Sequence, residues 1–215
     1  MITISGIDVT PDNHLAPTLY DIGYHCSKLP RFGGATTGHW TVLHHLLAAF
    51  QYAVDWQPEN RVLQLHAVLH DAHEAITGDM PKPWKTDDLR MLQADLDRRI
   101  FAGLGLSAPG LMTGRLVKQI DNQLAYNEAQ VYAPQVAKVM LENPNFSEIN
   151  PIDITGPRAV KAAGSWLTIM RFNAKKCGEA YEIIVKTLIE EMQHAKPATA
   201  PSPEPVEAGA GTGTV

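Results

Sequence analysis

Apolar residues in this chain return every three or four positions for most of its length, the period of helices with one buried face. Alternation of strand type is confined to the first few residues, Ile2, Ile4 and Ile7. The first helix is predicted from Leu19 to Lys28, where Pro30 stops it, and a Gly-rich loop, Arg31 to Gly38, follows. A second helix runs from Thr41 to Val54 and ends ahead of Gln57-Pro58. A third runs from Asn60 to Glu74, with Val62, Leu65, Val68 and Leu69 on its apolar side. Thr86-Asp87-Asp88 caps a fourth, in which Leu89, Leu92, Leu96 and Ile100 face the core up to Gly103.

A long helix is expected from Gly110 to Tyr132, carrying Leu116, Ile120 and Leu124. Pro144, Pro151 and several Asn make Glu142 to Gly156 a loop, and Pro157 suits the first turn of the next helix. Helical stretches over 158–172 and 176–194 complete the pattern. From Ala195 onward the chain is Ala, Pro, Glu, Gly and Thr with almost nothing to bury, the composition of a disordered tail. The expectation is an all-α helical bundle over residues 1–194 with a disordered tail over 195–215, and no internal repeat.

Composition narrows the setting. A chain of 215 residues buries a single sizeable core, and its two cysteines, Cys26 and Cys177, are too few and too distant for a disulfide framework. This fits a reducing cytoplasm. The N-terminus has no basic start or apolar stretch of a signal peptide, and no run approaches ~18 apolar residues, so neither secretion nor a membrane span is expected. A formal charge of -5 speaks against a nucleic-acid polymer as partner, and any phosphate recognition must be local.

The chemistry concentrates in one run, His70-Asp71-Ala-His-Glu74-Ala-Ile-Thr77-Gly78-Asp79-Met80-Pro81-Lys82-Pro83. Six of the nine histidines lie between His39 and His73. His70 and Asp71 can meet one ion over the seam between them, the long imidazole reaching and the short carboxylate staying close. Further ligands must come from other helices, and the natural candidates are His45 on the second and Asp121 on the fifth. Between the adjacent His44 and His45, periodicity does not choose. Two His and two Asp suit a divalent Mn, Co, Fe, Zn or Mg ion, with positions left for water and a phosphoryl oxygen.

Glu74, three residues after Asp71, is placed to orient or deprotonate a water. Arg31, Lys82 and Lys85 are the local cations an anionic substrate needs, and Arg31 can grip phosphate through two parallel hydrogen bonds. Asp79 sits in the Gly-Asp-x-Pro turn, where an Asp is ordinarily a turn former. Phe32 in the Gly loop is a candidate for stacking on a nucleobase, whereas Trp40, Trp84 and Trp166 are core or rim aromatics by default. His66 and His73 share a face with His70 but span too much length for one ion, so they are assigned to packing or solvent. Asp121 and Glu128 lie seven residues apart on one face, and an Asp on an apolar face needs a partner.

The order His45, His70-Asp71, Asp121 resembles the H…HD…D pattern of the all-helical HD-domain metal-dependent phosphohydrolases. The block from His70 to Lys85 is similar to that of YfbR-type 5'-deoxynucleotidases. Arg31-Phe-Gly-Gly upstream of Trp40-Thr-Val-Leu-His-His45 resembles phage DatZ-type dATP triphosphohydrolases. The resemblance covers residues 15–135. It implies that His45, His70, Asp71 and Asp121 bind a divalent ion (Co, Mn, Zn or Mg), with His45 taken over His44 by aligning Thr41-Val42. It also implies that Glu74 assists the water, with Arg31 and Asp79 beside it in catalysis. Arg31, Phe32, Gly33, Asp79, Met80, Pro81, Lys82 and Lys85 would touch nucleotide. The expected reaction is hydrolysis of a deoxynucleoside triphosphate, dATP-like, to deoxynucleoside and triphosphate, in a homo-oligomer. Its alternatives are a 5'-deoxynucleotidase acting on dNMPs, and an HD scaffold that binds nucleotide without turnover.

Overall fold

The computed structural model describes residues 1–146, 148–170 and 173–194. Among these the chain is all-α. Its helices are α1 (Leu19–Cys26), α2 (Val42–Trp56), α3 (Arg61–Leu69), α4 (Glu74–Thr77), α5 (Asp87–Gly103), α6 (Leu111–Tyr132), α7 (Pro134–Glu142), α8 (Thr155–Ile169) and α9 (Ala174–His194). Tighter 3-10 turns occupy Arg31–Gly34, Lys82–Trp84 and Pro144–Phe146. No helix among the described residues is long and apolar enough to cross a membrane. The tail expected over 195–215 lies outside the described residues.

Helices α2 and α3 are the centre of the bundle: α2 packs on α3, α6 and α8, and α3 on α6 and α9 as well. Their interior faces are continuous apolar surface, with Leu43, Leu46, Leu63, Leu65, Val68 and Leu69 fully buried. Against α3, the Tyr181 hydroxyl of α9 donates to the Val68 carbonyl at 2.8 Å, so the buried phenol is satisfied. Helices α1 and α9 approach through two glycines. A Cβ on Gly23 would meet Tyr181 Cβ at 2.6 Å, and one on Gly178 would meet Tyr20 Cδ2 at 2.8 Å. Thr18 caps α1 in a reciprocal box with Asp21, and Asp21 also accepts the Ser5 N–H at 2.9 Å, tying the N-terminal arm to the bundle.

Several expectations are corrected. The third helix stops at Leu69 rather than Glu74, and the next residues wind more tightly, with Ala72 N–H bonded to Leu69 O and Glu74 N–H to Asp71 O, each at 3.0 Å. A local cause is visible: the His70 ring donates through Nδ1 to the Ala67 carbonyl at 2.8 Å, the acceptor that a continuing α-helix would give to Asp71. Val62 is 42% exposed, its core place taken by Leu63. Residues 134–142 form α7 with Pro134 in its first turn, an element the periodicity did not announce, and α8 begins at Thr155 inside the expected loop. Residues 171–172 of the expected stretch 158–172 lie outside the described residues. Ile2 and Ile4 are exposed, Ile2 forming an isolated bridge with Asp8 and Ile4 donating its N–H to His25 Nε2 at 3.3 Å, and Trp84 is 74% exposed, neither core nor rim.

Candidate metal centre

Three helices deliver one cluster. His45 stands in the second turn of α2, His70 and Asp71 at the tightened end of α3, and Asp121 midway along α6. Their ligand atoms all lie within 4.8 Å of one another. His45 Nε2 is 3.1 Å from His70 Nε2, 3.3 Å from Asp121 Oδ1 and 3.7 Å from Asp71 Oδ2. His70 Nε2 is 3.3 Å from Asp71 Oδ2 and 3.9 Å from Asp121 Oδ1. Neighbouring ligands at ~2.1 Å from a divalent ion stand about 3.0 to 3.4 Å apart in octahedral or tetrahedral geometry. The three shortest separations, 3.1, 3.3 and 3.3 Å, are those of adjacent ligands.

The chemistry of the donor set makes the same point. His45 gives its Nδ1 to Glu128 Oε1 at 2.8 Å, and His70 gives its own to the Ala67 carbonyl. With both Nδ1 protons so engaged, the two Nε2 atoms face each other across 3.1 Å beside two carboxylates, and a proton or a metal ion between them relieves the repulsion of their lone pairs. These four residues can hold a metal ion. They form a candidate metal centre.

Comparison with protein-family models and with curated proteins returned no match, so the site is read from its own geometry.

The structure separates the two adjacent histidines. His44 turns its Nδ1 to the Thr41 N–H at 3.0 Å, capping α2, while His45 enters the cluster. Behind His45 lies Glu128, fully buried and about two turns further along α6 from Asp121, and its second oxygen meets Arg31 Nη2 at 3.4 Å. Arg31, 7% exposed, also stands 3.9 Å from Asp71 and 3.7 Å from Asp79. Asp79 therefore does more than form a turn: it shares the guanidinium with the cluster. The segment holding Arg31 is strained, since Phe32, which is not glycine, sits at φ 55 and Gly33 follows at φ 61.

Charges in this group are set by competition. Burial opposes ionisation everywhere, yet Asp71 and a hydrogen bond to Asp121 raise His70 well above an ordinary imidazole. Burial would likewise lift Asp71, but His70 outweighs it and holds the carboxylate far below its usual range. Glu128 is held down by His45 and Arg31 despite its burial. Glu74 goes the other way: burial, then Asp71 and Asp79, raise its carboxyl well above the usual value. It is 2% exposed, with Lys85 Nζ at 3.5 Å from Oε1 and with Oε2 unpartnered among the described residues.

The remaining expected contacts are distributed unevenly. Lys82 Nζ lies 3.5 Å from Asn122 Oδ1 and 4.5 Å from the Phe146 ring centre, near enough to Lys118 to be pushed down to about 8 by burial and that neighbour. Phe32 packs on the small apolar cluster of α6 and α7, which occupies part of the ring expected to meet a base. Gly33, Met80 and Pro81 are exposed. His66 and His73 stay out of the four-ligand set, but both are buried rather than solvated: His66 packs on Phe101 and His73 bonds to Asp97 at 2.9 Å.

Sequence reasoning assigned no role to Glu128 or Lys118. The signal for each was its spacing from Asp121, seven residues after and three before, which puts all three on one stripe of α6. Lys118 is hydrogen-bonded to Asp121 Oδ2. Asp97, on a different helix, left no signal. A separate surface groove of about 860 Å³, lined among others by Pro17, Arg98, Arg99 and Lys186, shares none of the cluster's residues.

Proposed function

We propose that this chain is a metal-dependent phosphohydrolase of the HD-domain type that acts on deoxynucleotides. The preferred reaction is hydrolysis of a deoxynucleoside triphosphate, dATP-like, to deoxynucleoside and triphosphate. The observation that carries the proposal is the pair of facing imidazole nitrogens, 3.1 Å apart and flanked by Asp71 and Asp121, with a buried arginine behind them. A divalent ion held there supplies Lewis acidity to a phosphoryl oxygen and acidifies a water. The donor set of imidazole and carboxylate favours Mn, Co, Zn or Mg over soft, thiolate-seeking ions.

The chain's own residues would divide the remaining work. Arg31, buried beside Asp71 and Asp79, binds a non-bridging oxygen of the α-phosphate and stabilises charge developing on it. The ionised form of Glu74 takes the proton through Oε2, buried and without a partner among the described residues, as the water oxygen bonds to the α-phosphorus. The bond from phosphorus to the 5'-oxygen breaks, and that oxygen takes a proton to leave as the deoxynucleoside. Lys82 and Lys118, on the Asp121 side, are the cations that would receive phosphates beyond the first. These flanking cations favour the triphosphate over the monophosphate.

The test is to incubate purified protein with Mn or Co and each dNTP and dNMP, resolving products by ion-exchange chromatography. Triphosphate and deoxynucleoside are expected from at least one dNTP, and Asp71→Ala is expected to abolish them. Turnover of no dNTP and no dNMP would sink the deoxynucleotide reading. Phosphate release from dNMPs alone would replace the preferred substrate with the 5'-deoxynucleotidase alternative.

A further inference from the structure

A second group of ligand atoms adjoins the first. One atom each from Asp71, His73 and Glu74 lie within 4.8 Å of one another, and Asp71 belongs to both groups. The tightened turn after Leu69 is what gathers them. With three residues per turn instead of 3.6, Asp71 and Glu74 eclipse on one face, the Glu74 N–H reaching back to the Asp71 carbonyl at 3.0 Å. His73 lies between them and points its Nδ1 at Asp97 Oδ1, 2.9 Å away, the carboxylate-imidazole arrangement that orients a metal-binding histidine.

Two buried atoms here have nothing to bond to. His73 is 7% exposed and its Nε2 has no hydrogen-bond partner among the described residues; Glu74 is 2% exposed and its Oε2 has none there. Buried polar atoms are ordinarily satisfied, and two orphans on neighbouring residues, one an imidazole nitrogen and one a carboxylate oxygen, are the donor types of a borderline divalent cation. The electrostatics agree in sign. Asp71, Asp79 and Asp97 surround the position, and the cations that pair with its carboxylates include Arg31 and Lys85.

We infer that Asp71, His73 and Glu74 form a second divalent-cation site, bridged to the first through Asp71. It binds more weakly than the first. It has three protein ligands instead of four, and a cation already bound on the other side of Asp71 repels a second. Its occupancy has a consequence for the proposed reaction, on which this part of the inference rests: a cation on Glu74 Oε2 removes the atom that takes the proton from water. The first equivalent of metal therefore activates, and excess metal inhibits.

The experiment is a Mn2+ titration of the metal-free full chain by isothermal calorimetry, with electron paramagnetic resonance of the loaded protein and no substrate present. Two ions per chain are expected, the second roughly tenfold weaker than the first. Their spectra at full loading are those of a spin-coupled pair, as a shared carboxylate requires. His73→Ala is expected to bind one ion with the affinity of the first and to give an uncoupled spectrum. Should that variant fail to fold, the wild-type stoichiometry and coupling decide the matter alone. One ion per chain at Mn2+ far above the first dissociation constant overturns the second site and leaves the proposed function standing. No bound ion overturns the metal reading of both sites. Two uncoupled ions, or two retained in a folded His73→Ala, place the second cation elsewhere and overturn the inference.

Discussion

Glu128→Gln tests the idea that the metal centre depends on a buried carboxylate that never touches the ion. Glu128 is fully buried, accepting from His45 Nδ1 at 2.8 Å through one oxygen and from Arg31 Nη2 at 3.4 Å through the other. Glutamine keeps the volume but has one acceptor where two are needed. If its carbonyl faces His45, its NH2 meets the guanidinium, donor against donor. If it flips, the NH2 faces Nδ1, which must then accept, and the imidazole proton moves to Nε2 where the ion's lone pair is required. Loss of such a supporting partner weakens metal binding by about 10- to 100-fold, or roughly 1.4 to 2.7 kcal/mol. The metal-free fold suffers as well, by about 1.5 to 3 kcal/mol for a lost charged hydrogen bond. The lower end is expected, since Arg31 keeps Asp71 at 3.9 Å and Asp79 at 3.7 Å. Calorimetric titration with Mn2+ measures the affinity, with thermal unfolding of the chelated protein as the check on folding. A folded Glu128→Gln that binds Mn2+ as tightly as the parent refutes the orientation argument.

Other consequences are as direct. Burial, then His39, push His44 down to about 3, and its Nδ1 accepts from Thr41 N–H. The unfolded chain takes up this proton near 6.5 and the folded chain does not, so stability falls as pH drops from about 6.5 toward 3. His44→Gln retains a capping side chain without the titration, and urea midpoints at pH 7 and pH 5 should differ less in it than in the parent. Gly23→Ala drives a Cβ to within 2.6 Å of Tyr181 Cβ and 3.0 Å of the Cys177 carbonyl, so denaturant unfolding should show a loss of about 1 to 3 kcal/mol. For Lys82, pushed down to about 8 by burial and Lys118, the charge is lost as pH rises through that value. The KM for a dNTP should therefore climb above pH 8 in the parent, and Lys82→Ala should show a KM raised about tenfold with no such climb.

Much of the fold was readable because helices announce themselves locally. Thr86 ahead of Asp87, the repeat of Leu96 and Ile100, and the apolar period of α2 and α6 each lie within a few turns of chain. Helix α7 was missed because Pro134 reads as a stop until it is seen as a first-turn residue. The overlong third helix was missed for a different reason. His70 breaks the pattern not by its propensity but by giving its ring to the Ala67 carbonyl, and propensity carries no information about that bond.

The metal cluster divides along the same line. That His70 and Asp71 are neighbours, that Glu74 follows within a turn, and that Asp121 and Glu128 share a stripe of one helix is written in the chain, because each is a relation inside one segment. Helix packing alone makes His45 rather than His44 face them, sets Glu128 behind His45, and brings Arg31 to Asp71, Asp79 and Glu128. It also turns His73 from a residue of packing or solvent into one whose buried Nε2, beside Glu74, lacks a hydrogen-bond partner among the described residues. The reason is physical: a helical period fixes angles around one axis, whereas which side chains meet depends on how the axes of α2, α3 and α6 pack together.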